Sequence, residues 1–116
     1  MDRGDGRDIY GRFTGRGGYG SSGEALGLSE YERLTGNVVI AQHIRVTLPD
    51  GTSRLYDGLS PQSDGTFEGI EVKSGTASRN AQQRAFDDAV NSGTQARGRL
   101  NGVDIAISSV RVIRVP

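Results

Sequence analysis

The sequence predicts a single mixed α/β (α+β) domain with the element order α-β-β-β-α-β. Three observations predict it. Apolar residues alternate in a long strand period through Val38, Ile40, Ile44, Val46 and Leu48. Helical spacing occurs in two places, ahead of that run and again over 79–92. A last segment, Val103–Val115, is rich in Val and Ile, as strands are. A three-stranded meander, a crossover helix and a final strand give a mixed central sheet flanked by helices.

The elements follow in order. Residues 1–23 hold eight of the 18 glycines, four arginines and three aspartates, with almost no aliphatic side chains. Such a stretch cannot bury enough apolar surface to offset its ordering entropy, so it reads as a flexible leader or linker, with the folded domain over 24–116. Residues 24–35 read as the first helix, starting near Ser22 or at Ser29. Ser29 and Glu32 have capping-box spacing, and Gly36 supplies a stop. Strands are expected over 37–48, 52–59 and 67–73. Pro49-Asp50-Gly51 gives the first turn, and a polar loop over 61–66 contains Asp64-Gly65. Ser78 is the expected cap of a helix over 79–92, whose apolar stripe is Ala81, Ala85, Phe86, Ala89 and Val90. Residues 93–102 read as a loop, and Val103–Val115 as the last strand, bulged at Ser108-Ser109.

Composition narrows the function. The chain has 116 residues, room for one small domain. Cysteine is absent, which excludes disulfides, zinc–thiolate sites and cysteine nucleophiles. No apolar run approaches the ~20 residues of a membrane helix, and the polar, Gly/Arg-rich N-terminus does not read as a secretory signal. Fourteen basic residues balance fourteen acidic ones, so the whole chain is no basic nucleic-acid magnet. The charge is segregated, however. Residues 24–75 carry eight acids and four bases, and residues 76–116 three acids and six bases. A carboxylate-rich middle followed by a basic third suits a phosphate-bearing partner, although ordinary surface charge has the same look.

One segment carries chemistry. In Gly69-Ile70-Glu71-Val72-Lys73-Ser74, strand alternation sends Ile70 and Val72 to one face and Glu71 and Lys73 to the other. Leu55, Asp57 and Leu59 share a parity on the preceding strand, so pairing of the two strands would set Asp57 beside Glu71. Two converging carboxylates form a hard oxygen site for Mg²⁺ or Mn²⁺. A neighbouring lysine can position or deprotonate a water and offset charge on an attacked phosphate. The plainer reading is a solvated same-face ion pair worth only ~0.2–1 kcal/mol.

Tyr56-Asp57, Glu71-Val72-Lys73-Ser74-Gly75 and Gln82-Gln83-Arg84-Ala85-Phe86-Asp87 together resemble the PD-(D/E)XK, or restriction-endonuclease-like, nuclease superfamily, over roughly 24–115. More narrowly, they are similar to nuclease domains at the C-termini of bacterial polymorphic toxins. The resemblance implies an αβββαβ core and a Mg²⁺- (or Mn²⁺-) dependent nuclease. It implies that Asp57 and Glu71 bind the metal with the Val72 carbonyl as a third ligand, that Lys73 activates or positions the water, and that Gln83 contacts the site. It also implies a glutamate from the first helix, for which Glu32 is chosen, with Glu24 and Glu30 as rivals. Tyr56 stands where many members have proline. The resemblance further implies secretion from a producing bacterium, action in the target-cell cytoplasm, and neutralisation by a cognate immunity protein.

DNA is the expected substrate and RNA, such as tRNA, the alternative. A catalytically silent binding module, using the arginines and a sheet edge, is the reading from another class. Arg79, Arg84 and Ser74 are the candidate phosphate contacts, because Arg79 and Arg84 lie near a helix N-terminus. The single histidine, His43, excludes histidine-rich metal nucleases, and reads as a surface or partly packed side chain.

Overall fold

The computed structural model describes residues 23–116. The expected leader therefore lies, apart from Gly23, outside the described residues. The fold is mixed α+β: a curled six-stranded mixed sheet with two helices. The elements are α1 (Gly23–Thr35), β1 (Ile44–Thr47), β2 (Ser53–Tyr56), β3 (Gly58–Pro61), β4 (Phe67–Ser74), α2 (Ala81–Asn91), β5 (Ala96–Leu100) and β6 (Val103–Val115). Their order in the sheet is β2-β1-β5-β6-β4-β3. The β4–β6 pair is parallel and the other pairs are antiparallel.

Helix α1 starts at Gly23, so Ser29 and Glu32 lie inside the helix and form no capping box at its start. Glu24 instead sits in the first turn, where its charge complements the helix dipole. Ala25, Leu28 and Tyr31 face inward. Gly27 permits a close approach, because a methyl group there would overlap the Val72 side chain of β4.

The expected strand over 37–48 is interrupted. Ile40 makes an isolated bridge to Leu59, the backbone turns at Gln42, whose N–H donates to the Ile40 carbonyl, and β1 resumes at Ile44. The expected strand over 52–59 also breaks, at Asp57. Residues before the break pair with β1, and residues after it pair with β4. That break lets one ribbon leave one edge of the curled sheet and enter the other. It also ends the shared parity of Leu55, Asp57 and Leu59: Leu55 is exposed and Leu59 fully buried.

The turns of the β1–β2 and β3–β4 hairpins repeat one local device. In Asp50-Gly51-Thr52 and Asp64-Gly65-Thr66 the aspartate Oδ1 accepts from both the N–H and the hydroxyl of the threonine. The central glycine has φ of 90° in each, a left-handed backbone that glycine adopts freely. These hydrogen bonds stabilise the ionised carboxylates and hold both aspartates below the usual carboxylate range.

Helix α2 begins two residues later than the sequence reading placed it. Asn80, not Ser78, is the cap, and it forms a reciprocal capping box with Gln83. Phe86 and Val90 are buried as expected, while Ala81 and Ala85 face solvent. The loop expected over 93–102 contains β5, which joins β6 to β1. Strand β6 has the expected bounds and the expected irregularity: Phe67 faces Ile107 but Glu68 faces Ser109, leaving Ser108 as the extra residue.

The sheet buries both faces. Leu28, Tyr31, Val39, Ile70, Ile113 and Val115 pack on the α1 side. The larger cluster, including Tyr56, Leu59, Phe67, Phe86, Val90 and Ile107, packs on the α2 side. No described helix is long and apolar enough to cross a membrane.

Candidate functional site

Asp57 occupies the break between β2 and β3, at the point where the β3–β4 ladder stops. Its backbone N–H donates to the Ile70 carbonyl at 2.9 Å, and its side chain continues the pairing: Oδ2 accepts from the Val72 N–H at 2.8 Å. The carboxylate thus replaces the next residue of a partner strand. The N–H and C=O of one strand residue point to the same side, so the Val72 carbonyl opens toward the edge that Asp57 covers.

The second oxygen of Asp57 faces a histidine. His43 Nε2 lies 3.7 Å from Asp57 Oδ1 and 2.8 Å from Glu24 Oε2. One donor atom from each of Glu24, His43 and Asp57 falls within 4.8 Å of the other two. Each residue has its own structural reason to be there. Glu24 projects from the first turn of α1, which Gly27 lets settle on β4. His43 follows the Gln42 turn, which carries it out of the strand plane. Asp57 is fixed by Val72. The group is accessible, with side-chain exposures of 42% for Glu24, 53% for His43 and 23% for Asp57.

Glu71 has other partners. Val72 packs with the α1-side core, while Glu71 points to the α2 side, as strand alternation requires. Its Oε2 lies 3.0 Å from Lys73 Nζ, and its Oε1 lies 3.4 Å from Arg54 Nη1. Arg54 is itself buried and forms a two-pronged contact with Asp87, through Nε at 3.1 Å and Nη2 at 2.9 Å. Asp87 also accepts from the Tyr56 hydroxyl at 2.6 Å and from Arg79 Nη1 at 3.1 Å. Burial, and then the bond to Asp87, push the Tyr56 phenol well above its ordinary value, so it remains a donor. The Arg54 guanidinium stacks 4.7 Å from the Tyr56 ring centroid.

The remaining sequence candidates are placed as follows. Glu32 is half-buried on α1 and does not join the Glu24/His43/Asp57 group; Glu30 pairs with Arg33 on the helix surface. Gln83 uses its amide oxygen to accept from the Asn80 N–H at 3.0 Å, closing the α2 cap. Arg84 is exposed and donates to the Arg79 carbonyl at 2.6 Å. Ser74 is exposed at the end of β4, beside Gly23. A cleft of about 620 Å³ between the β1–β2 hairpin and α2 is lined by Arg54 and Gln83, but by neither Asp57 nor Lys73. Asp57 and Lys73, two of the residues singled out in the sequence, therefore lie outside that cleft.

Three residues stand out here that the sequence reading gave no central role: Arg54, Asp87 and His43. Arg54 is concealed because the parity shared by Leu55 and Leu59 points Leu55 inward, whereas Arg54 and Tyr56 are the residues that β2 buries. Asp87 has a visible signal, an acid two residues from Ala85 and next to Phe86 within an apolar stripe. Two breaks in strands that read as continuous bring His43 and Asp57 together, and the packing of α1 on β4 adds Glu24.

Comparison of the chain with family models, with curated proteins and with solved structures gives no match.

Proposed function

We propose that this chain is a metal-dependent nuclease with a restriction-endonuclease-like core, which cleaves DNA as a bacterial toxin domain. The observation that carries the reading is the 2.8 Å hydrogen bond from Val72 N–H to Asp57 Oδ2. It ties the Asp57 carboxylate to the segment that holds Glu71, the Val72 carbonyl and Lys73. The donor types, the carboxylates of Asp57 and Glu71 and the carbonyl of Val72, suit a hard divalent cation such as Mg²⁺ or Mn²⁺. A bound cation would polarise the phosphodiester and lower the pKa of a coordinated water.

The chain's own residues do the rest. Lys73, with a side chain only 17% exposed, is oriented by Glu71 and would place the attacking water or offset charge on the phosphate. Arg54 holds Glu71 from behind, and Asp87 in turn holds Arg54. Arg79, 26% exposed, and the exposed Arg84 would meet the nucleic-acid backbone at the start of α2. The domain would be delivered into the cytoplasm of a target bacterium. An immunity protein covering the basic third would be acidic.

A second reading, a catalytically silent binding module, draws on one observation: both Glu71 oxygens are already taken by cations. One experiment separates the two. Tag-free protein is incubated with supercoiled plasmid and with total tRNA, in Mg²⁺, in Mn²⁺ and in EDTA. The expected result is plasmid cleavage that EDTA stops and that Asp57→Ala, Glu71→Ala and Lys73→Ala each lower by at least about 10²-fold. Cleavage of tRNA alone changes the substrate to RNA. Full activity in two folded variants of the three refutes the nuclease.

A further inference from the structure

We propose that Glu24, His43 and Asp57 bind a divalent transition-metal ion such as Zn²⁺ or Co²⁺, with His43 Nε2 as the ligand that selects it over Mg²⁺. This goes beyond the proposed nuclease; it shares Asp57 with it and uses Glu24, a rival there for the first-helix glutamate.

The argument starts from the donor set. Three side chains from three separate segments converge: the first turn of α1, the turn after Ile40 and the break between β2 and β3. Two are carboxylates and one is an imidazole. Carboxylate oxygens alone suit Mg²⁺, Ca²⁺ or Mn²⁺, whereas an imidazole nitrogen shifts preference toward Zn²⁺ and its neighbours. The distances fit one ion. Two ligands bonded at ~2.1 Å sit about 3.0 Å apart at a right angle and about 3.4 Å apart at a tetrahedral angle. His43 Nε2 lies 2.8 Å from Glu24 Oε2 and 3.7 Å from Asp57 Oδ1, on either side of those values.

The surroundings also suit a metal. Asp57 is oriented by an outer hydrogen bond, since the Val72 N–H holds Oδ2 and leaves Oδ1 turned to His43. Outer partners of this kind fix ligand orientation at metal centres. The exposure of all three side chains gives an ion a way in and leaves coordination positions open to water or substrate. By contrast, the Asp–Arg cluster around Asp87 has both carboxylate oxygens occupied by donors and offers no such opening.

A plain His43–Glu24 ion pair predicts the same 2.8 Å contact, so the test must see the metal. His43 is the chain's single histidine, so its ring protons give one assignable NMR signal in tag-free, full-length protein. Zn²⁺ titration is expected to shift or broaden that signal, and calorimetry is expected to show binding at least about tenfold tighter than for Mg²⁺. Co²⁺ should develop visible absorption on the same equivalents. His43→Ala and Glu24→Gln should each weaken Zn²⁺ binding by at least about tenfold with the fold unchanged by circular dichroism. Glu71→Gln should leave the His43 shift in place even where cleavage is lost, so failure here and failure of the nuclease are told apart. A His43 signal that does not move with Zn²⁺, or equal Zn²⁺ affinity in His43→Ala, overturns the proposal.

Discussion

Two aspartates, thirty residues apart in sequence, show how differently one fold can treat the same side chain. Asp87 is fully buried and receives hydrogen bonds from Arg54, Tyr56 and Arg79. Asp57 is partly open, receives one backbone N–H on Oδ2, and turns Oδ1 toward a histidine that Glu24 shares. A buried carboxylate must have its charge answered by donors, or its desolvation goes unrecovered. A carboxylate at a broken strand edge keeps water as a partner and stays available to a ligand. Asp87 therefore serves the fold, and Asp57 keeps part of its carboxylate open to solvent or a ligand. Glu71 stands between the two, linked to the buried network through Arg54 and to the open edge through Lys73 and its neighbour Val72.

The largest effect expected from this contrast is on stability. Asp87→Ala leaves the buried guanidinium of Arg54 without its main partner, and should cost about 3–5 kcal/mol in urea denaturation. An effect below ~1 kcal/mol would mean that the buried network contributes little to the fold.

Tyr56→Phe removes one donor to the same carboxylate and should cost about 1.5–3 kcal/mol near neutral pH. It also sharpens the contrast through pH. Tyr56 has a folded-state pKa raised above its ordinary value, first by burial and then by Asp87. The folded state therefore keeps the phenolic proton where the unfolded chain has lost it. This contribution is fully present below about pH 10 and declines as pH rises above it. The wild-type urea midpoint should fall above that pH, and Tyr56→Phe should fall less steeply. A smaller alkaline slope should remain from Tyr31, whose pKa is raised by burial and by its 2.5 Å bond to Glu68.

The smallest effect belongs to the open group. His43→Ala and Glu24→Gln should change stability by less than about 0.5 kcal/mol without added metal, because exposed ion pairs contribute little. A large loss in either variant would place this group with Asp87, as part of the fold's own support.

Much of the architecture is legible in the sequence because it depends on local chemistry. Strand β6 follows from its run of Val and Ile, and Ser108-Ser109 marks its bulge. Gly36 ends α1, and Asp-Gly marks the turns of the β1–β2 and β3–β4 hairpins. The opposite facing of Glu71 and Val72 follows from strand alternation alone. Strand β5 was not legible. Its segment, Ala96-Arg97-Gly98-Arg99-Leu100, reads as polar loop, and it becomes a strand because β6 and β1 supply hydrogen-bonding edges on both sides. The cap of α2 was off by two residues because Ser78 and Asn80 both suit that role, and only Asn80 has a glutamine three residues on to complete the box.

Local patterning is enough to set a carboxylate and an amine together on one face of a strand, to put an aspartate upstream of them, and to flank a mixed sheet with two helices. Those features depend on periodicity over a few residues. Which carboxylates are buried among donors and which stay accessible depends on long-range packing. The packing of α1 on β4 and the breaks at 41–43 and at Asp57 bring Glu24, His43 and Asp57 to one point, while Arg54 turns inward beside Tyr56 to meet Asp87. Both outcomes depend on contacts between residues 14 to 33 positions apart, which no local pattern specifies.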